Sequence, residues 1–440
     1  MTQPRVIVIG GGIAGLASAH HLSRQGAHTT LLESSEQLGG LGTFFRSGEQ
    51  WVERFYHCVM PTDGHLLSLL GEIGLADAVR WRPTRMGFVV DGTRYPFNTP
   101  LDLLRFRPLT LVQRLRLGVV SLLLRHLGRG EDLDNVRSED WLRGLYGDAV
   151  WERVLQPLFR SKFGPAVGDV PALYLFQRLG REKNVATRGY PEGGYKAIID
   201  GLRAAIETHG GTVRTATPVT KIRETPGGVR VELSGGEAVD GDWVVSTVPL
   251  PLLHQLADAA LKARLPSLRL PYLGVVNVLF FLARPLDGCY WTPVLRSGTE
   301  FDGVIETSTL AGTAGYDGRH LAYVMKYTDR NSALFAEDDA SIADRWTKQL
   351  LNLYADLPLR VEDVCEVRVF KAPFVEPVYP LGYGSIKPAI DVGETRLLLA
   401  TTAHIYPQVT SWNSSAGLAH EVVDHLLARH AQPAPQRVAP

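Results

Sequence analysis

The chain begins with an apolar run, Arg5–Ile9, of the kind buried on both faces of a parallel sheet, so a strand is expected there. Gly10-Gly11-Gly12 reads as a turn. From Ile13 to about residue 25 the apolar positions Ile13, Leu16, Ala17 and Leu22 recur at helical spacing. His28–Leu32 is a second expected strand, ending at Glu33 and completing a β-α-β unit. From Thr93 to about residue 180 the texture is helical, with arginines breaking apolar stripes and a second helical block around 136–159. Gly193-Gly194 opens an amphipathic helix over 195–209. Short strands are expected at Thr212–Arg214, 229–233 and 243–248, separated by glycine pairs. Strands and helices alternate from Tyr272 to Phe370, with 272–283 a buried strand. An apolar strand over 396–400 and a helix over 416–429 follow. The stretch from 430 is rich in Pro, Ala and Gln and is expected to be disordered.

Composition narrows the function. At 440 residues and 45% apolar content, the chain suits two interleaved domains with a large core. Forty-six basic residues balance 46 acidic ones, so there is no nucleic-acid footprint, and any anionic ligand must be held by local groups. Cys58, Cys289 and Cys365 have no metal-binding spacing, and no metal is expected. With the first strand expected from Arg5, no signal peptide is expected, and no apolar run is long enough to span a bilayer. A soluble cytoplasmic protein is expected. The stretch 101–129 carries Arg105, Arg107, Arg114, Arg116, Arg125 and Arg129 among apolar residues. It reads either as a peripheral membrane contact or as two helices covering a cavity with their arginines outside. The second reading is favoured, since interfacial helices show a cleaner two-faced pattern.

Gly10-Gly11-Gly12-Ile13-Ala14-Gly15 satisfies GxGxxG between a strand and a helix, the context that gives the motif meaning. Gly10 permits the tight turn, Gly12 a close backbone approach to a pyrophosphate, and Gly15 close packing of helix on strand. The helix N-terminus adds free N–H groups and positive potential. Glu33 is placed to accept hydrogen bonds from the hydroxyls of an adenosine ribose and would repel a 2′-phosphate. Gly39-Gly40, before Leu41, lets the chain pass a diphosphate a second time.

With Thr217-Pro218-Val219, the strand ending at Pro249, and Ala400-Thr401-Thr402 before the last helix, the sequence resembles the flavin amine oxidase and protoporphyrinogen oxidase superfamily. The resemblance implies an α/β fold with added helices. A Rossmann-type FAD-binding domain would be assembled from 1–92, 189–250 and 385–429. A helical substrate region would occupy 93–188 and a substrate-binding sheet 251–384, leaving 430–440 as the tail. It also implies that the Val219 backbone meets adenine and that the closing strand and helix cover the ribityl chain and flavin. Two positions depart from the family pattern: Leu41 stands where Arg is common, and Thr401-Thr402 where Gly-Asp is common. No cysteine stands at the attachment position, so the resemblance implies noncovalent FAD.

Phe55-Tyr56-His57, Tyr95-Pro96-Phe97-Asn98 and Gly189–Tyr195 resemble segments of the UDP-galactopyranose mutase branch, whereas 156–164 resembles oxidases and desaturases equally. The candidate catalytic set is His57, His404, Tyr406, Arg160 and Tyr383. Each also has a plain structural reading: a loop-fixing or core residue for the histidines and tyrosines, a solvated charge for Arg160. Three functions fit. The first is an oxidoreductase passing hydride from a small or lipophilic organic substrate to flavin N5, with a second electron acceptor. The second is a redox-neutral nucleotide-sugar mutase using Arg160, Arg178, Arg181 and Arg330 as a diphosphate clamp. The third is a flavin-binding subunit without catalysis. Oligomeric state is left open.

Overall fold

A computed structural model describes residues 3–128, 130–181 and 186–431. Its first unit is a five-stranded, all-parallel sheet in the spatial order Leu397–Leu399, Trp243–Ser246, Arg5–Ile9, His28–Leu32, Thr212–Arg214. The central strand is covered on both faces. Val6 and Val8 pack with Leu16, Ile198 and Val422 from three helices, Ile13–Arg24, Gly194–Thr208 and Trp412–Ala431. Ile7 and Ile9 face the other way, onto Ile222 and Val231 of an antiparallel meander. Period-2 alternation with both faces apolar is what makes this strand read as one continuous run.

The second unit is a seven-stranded mixed sheet whose second strand from one edge, Tyr272–Leu282, is buried at every position. Val275, Leu279 and Phe281 join the core shared with the first unit, while Val276, Val278 and Phe280 lie under helix Asp339–Leu353. This alternation gives the sheet one face toward the first unit and one toward its own helix.

The helical region begins later than expected. Gly87–Val90 and Thr93–Pro96 form a hairpin at the edge of the second sheet, turning at Asp91 and Gly92, both at positive φ. Asp-Gly between apolar runs is a strong hairpin signal, and it overrides the helical texture there. Helices Pro100–Arg105 and Leu111–Leu127 follow, each opened by a capping box, Thr99 with Asp102 and Thr110 with Gln113. Two further helices, Ser138–Tyr146 and Ala172–Arg181, flank one continuous helical stretch that carries a wide turn at Trp151–Leu155 and ends at Phe163.

The last helix starts at Trp412 rather than 416, because Ser411 and Ser414 exchange hydrogen bonds at its N-terminus. It runs through His430, whose Nδ1 accepts from Trp243 Nε1 at 3.3 Å, so the expected disorder does not begin at 430. Residues 432–440 of that tail, and Arg129, lie outside the described residues.

Candidate functional site

The glycine motif lies between the central strand and its helix, and its glycines have separable causes. Gly10 has φ +105°, and a Cβ there would meet Thr247 Oγ1 at 2.4 Å. A Cβ on Gly15 would come within 1.9 Å of the Gly10 carbonyl oxygen. Packing alone demands those two. Gly12 differs: the nearest atom to its Cβ would be Gly40 Cα at 3.9 Å. Nothing in the polypeptide requires glycine at 12. The open space lies at the mouth of a helix with no side-chain cap and no acidic residue in its first turn. The N–H groups of that turn, including Ile13 and Ala14, are therefore offered to an anion.

A second glycine loop crosses the first. Gly39 N donates to Gly11 O at 2.8 Å, with Gly39 and Gly40 at φ +117° and +57°. A Cβ on Gly40 would meet Gly12 Cα at 3.2 Å, so the two backbones meet without side chains between them. Leu41, next in the chain, is half-buried and packs on the shared core.

Glu33 accepts from Gly11 N at 2.6 Å through Oε2 and from Ser35 N at 2.9 Å through Oε1. Its carbonyl accepts from Thr217 N, tying the segment before the half-buried Val219 to the same strand end. Uncapped helix, crossed glycine loops and carboxylate together make a cradle that fits a dinucleotide. Thr401 is buried, and its Oγ1 accepts from Ala403 N at 3.3 Å. Thr402 Oγ1 donates to Tyr272 OH at 3.3 Å. The hydroxyl at 401 is thus engaged within its own turn.

Of the candidate catalytic residues, His57 is the one that joins an aromatic wall beside this cradle. Its ring lies 4.9 Å from Tyr195 and 5.6 Å from Trp412, whose indole sits over Gly42. Nδ1 is 2.8 Å from the Phe55 carbonyl. A carbonyl only accepts, so Nδ1 carries the proton and Nε2 the lone pair. Burial pushes the His57 pKa down to about 4, leaving the ring neutral near pH 7.

His404, Tyr383 and Tyr406 occupy a different role. His404 Nε2 is 3.2 Å from Ala389 O, and its Nδ1 is 3.2 Å from Thr401 Oγ1. Tyr383 and Tyr379 donate to the carbonyls of Ala403 and Thr402 at 2.9 and 3.0 Å, and Tyr406 bonds the Asp134 carboxylate. Together they hold the 401–407 loop. Arg160 is exposed, and its charge acts on Asp302, which also holds Lys326 at 2.9 Å.

A polar chain missed in the sequence connects the helical region to the second sheet. Lys162 Nζ lies 3.0 Å from Glu376 Oε2 and 3.9 Å from the centroid of the Tyr327 ring. Tyr174 donates to Glu376 Oε1 at 2.5 Å, and the hydroxyls of Tyr56 and Tyr327 are 3.1 Å apart. Arg178 stands near enough for its charge to act on Tyr56, Tyr174 and Tyr327. Burial, outweighing these cations, raises the Tyr56 pKa well above the usual phenol value and Tyr327 to about 12, so both hydroxyls keep their protons. Glu376 sits amid the apolar residues that end its strand; that lone charge is the signal available in the sequence.

Two features stand apart. A cavity of about 440 Å³ at the edge of the second sheet, lined by Arg85, Arg94, Asn98 and Cys289, shares no residue with the glycine loops. Among the helices packed on one face of the first unit, ligand atoms of His20, His21 and Glu72 lie within 4.8 Å of one another, where no metal was expected. Arg24 pairs with Glu72 at 2.7 Å and already neutralises it.

The sequence profile of the flavin containing amine oxidoreductases matches residues 13–410. The 15-cis-phytoene desaturase of Solanum lycopersicum is 24% identical over 387 residues, covering 81% of this chain but 65% of the desaturase. This chain therefore spans about two thirds of that relative's length. A structure from Exiguobacterium sp. 255-15, provisionally named protoporphyrinogen oxidase, superposes with a TM-score of 0.77 at 19% identity, covering 98% of this chain and all of the other. Reduced UDP-galactopyranose mutase superposes at 0.74 with 15% identity, covering 98% and 95%. These two likenesses establish the fold. With the profile match spanning most of its length, the chain belongs to the flavin-containing amine oxidoreductase family.

Proposed function

We propose that the protein is an FAD-dependent oxidoreductase that binds FAD noncovalently and removes hydride from a small or lipophilic organic substrate. The observation that carries the reading is the open space beside Gly12, where two side-chain-free loops, an uncapped helix and Glu33 converge. Gly10, Gly12, Ile13, Ala14 and Gly15 would hold the diphosphate, and Gly39 and Gly40 would give it room. Glu33 would take the adenosine ribose, Val219 would meet the adenine by its backbone, and Thr401 and Thr402 would lie along the closing segment.

When bound, the flavin supplies a two-electron acceptor. The chain's own part is positioning and excluding water. Neutral His57, with its Nε2 lone pair free of the Phe55 contact, can accept a hydrogen bond from a substrate amine or hydroxyl. Tyr195 and Trp412 pack against its ring and keep water from it. The Lys162–Glu376 pair and the Tyr56 and Tyr327 hydroxyls orient a polar end of the substrate, while Arg178 favours an anionic one.

The likeness to the mutase supports a second reading, redox-neutral sugar rearrangement. It needs several arginines on one diphosphate. Arg181 is paired with Asp63 at 2.8 Å, Arg330 and Arg178 lie over the rings of Phe374 and Phe163, and Arg160 faces Asp302, so the four are spread over separate partners. Redox chemistry is therefore ranked first. Anaerobic incubation with panels of amines, polyenes and nucleotide sugars separates the readings. Bleaching of oxidised flavin by substrate is expected. Turnover only after prior reduction, without net electron transfer, supports the mutase reading instead, and inertness in both forms counts against catalysis.

A further inference from the structure

Thirteen large apolar side chains among the described residues are exposed, and eight of them fall between 101 and 123. They are Leu101 and Leu104 on one short helix and Leu111, Val112, Leu115, Val119, Leu122 and Leu123 on the next. On the helix Leu111–Leu127 they follow spacings of three and four residues, which places them along one face. Val112 and Leu122 are 75% and 77% exposed. The opposite face, through Leu117 and Leu124, packs into the core with Trp141 and Leu142. An amphipathic surface helix ordinarily has the reverse arrangement, apolar inside and polar outside. This one is apolar on both faces.

The arginines confirm that the outer face is built. Arg114 turns back to donate to Leu109 O at 2.7 Å and also reaches Leu104 O. Arg116 donates to Leu145 O and Gly144 O, each at 2.8 Å. These guanidiniums cap carbonyls beside the apolar stripe, while Arg116 stays exposed, as the outward arginines expected from sequence would be. Arg105 and Arg107 remain exposed at the end where the two helices meet. The single acidic residue from 101 to 128 is Asp102, which is engaged in its helix cap. In a chain of zero formal charge, this segment is apolar, basic and nearly free of carboxylates.

We propose that the outer face of these two helices docks on an anionic lipid bilayer, lying in the interface without spanning it. The charge pattern selects this occupant. An apolar strip insertable between acyl chains, bordered by exposed arginines and lacking acids, complements an anionic headgroup layer. A face that paired with a second copy across a two-fold axis would set these arginines against one another without partners. The helix of 17 residues is about 25 Å long at 1.5 Å per residue, and no helix among the described residues is long and apolar enough to cross a membrane. The proposal does not depend on which reaction the flavin site performs.

Sedimentation of the full flavin-loaded chain with phosphatidylglycerol-containing vesicles, against phosphatidylcholine vesicles, tests it. Wild type should pellet with the anionic vesicles and release about tenfold or more as salt rises to about 0.5 M. The variant Val112→Ser/Leu115→Ser/Val119→Ser/Leu122→Ser should lose most binding while keeping its flavin absorbance and circular dichroism, since every changed side chain is exposed. Arg105→Glu/Arg107→Glu should lose the preference for anionic lipid. If the quadruple variant does not fold, Val112→Asp alone carries the same test. Wild type remaining in the supernatant with both vesicle types overturns the proposal. So does unchanged binding by a folded apolar variant, or analytical ultracentrifugation showing a dimer that the apolar substitutions convert to monomer.

Discussion

Gly12→Ala and Gly15→Ala should part company, because a ligand demands one glycine and the fold demands the other. A methyl at 15 would sit 1.9 Å from the Gly10 carbonyl oxygen, more than 1 Å inside a normal carbon–oxygen contact, and both are backbone-fixed. Helix and strand must separate, with an overpacking cost of about 1–3 kcal/mol. The same methyl at 12 meets nothing closer than 3.9 Å. The apoprotein should then change by no more than about 1 kcal/mol, a balance of lost unfolded-state entropy and a poorer N-cap. The methyl would instead stand where the diphosphate must approach the backbone. Overpacking of about 1–3 kcal/mol there corresponds to a roughly 5- to 150-fold weaker Kd for FAD. Urea unfolding of apoprotein and titration by flavin fluorescence measure the two quantities separately. Equal apoprotein stability losses in the two variants, or FAD affinity at Gly12→Ala within twofold of wild type, refutes the assignment of position 12 to the ligand.

Glu33→Ala should weaken FAD and AMP by about the same factor, roughly 10-fold, since its carboxylate is assigned to the ribose both share; competition titration shows whether the factors agree. Lys162→Met removes the cation beside Glu376, which is 1% exposed, and should destabilise the fold by about 3–5 kcal/mol in denaturant unfolding. Lys162→Met/Glu376→Leu should recover most of that loss, and failure to recover any means that the pair is not the cause. Burial lowers the His21 pKa from 6.5 to about 4 and His20 in the same direction, so protons bind the unfolded chain first. Stability is fully present above pH 6.5 and falls as pH drops toward 4, with at most about 3 kcal/mol from His21. His21→Gln should flatten this part of the pH–stability profile; an unchanged slope excludes it.

The parallel-sheet unit was legible because its determinants are local. A strand buried on both faces, a glycine turn and a helix occupy Arg5 to Arg24 without a break, and Glu33 follows the next strand directly. The Asp91-Gly92 hairpin was equally local, but it was masked by the arginine-rich apolar stretch beyond it. The polar chain on the substrate side was not legible. Tyr174 and Glu376 are 202 residues apart and meet because a helix and a strand pack together, which no spacing rule encodes. Nor could sequence divide His57 from His404. Both are loop histidines near aromatics, and their different hydrogen-bond partners, one backbone carbonyl for His57 against a threonine and a carbonyl for His404, follow from tertiary packing. The helices at 100–127 were found, with Arg105, Arg107 and Arg116 exposed as expected, yet the exposed apolar face between them was not read from the sequence.

The central claim is that crossed glycine loops and a ribose-binding carboxylate hold one FAD without a covalent bond. Heat or acid denaturation of the purified yellow protein, followed by chromatography and mass analysis of the supernatant and by reconstitution of the stripped chain, tests it directly. The account predicts intact FAD in the supernatant at about one per chain, and recovery of the flavin spectrum when FAD is returned. A colourless chain that takes up no FAD, or flavin that stays with the precipitated polypeptide, would contradict it.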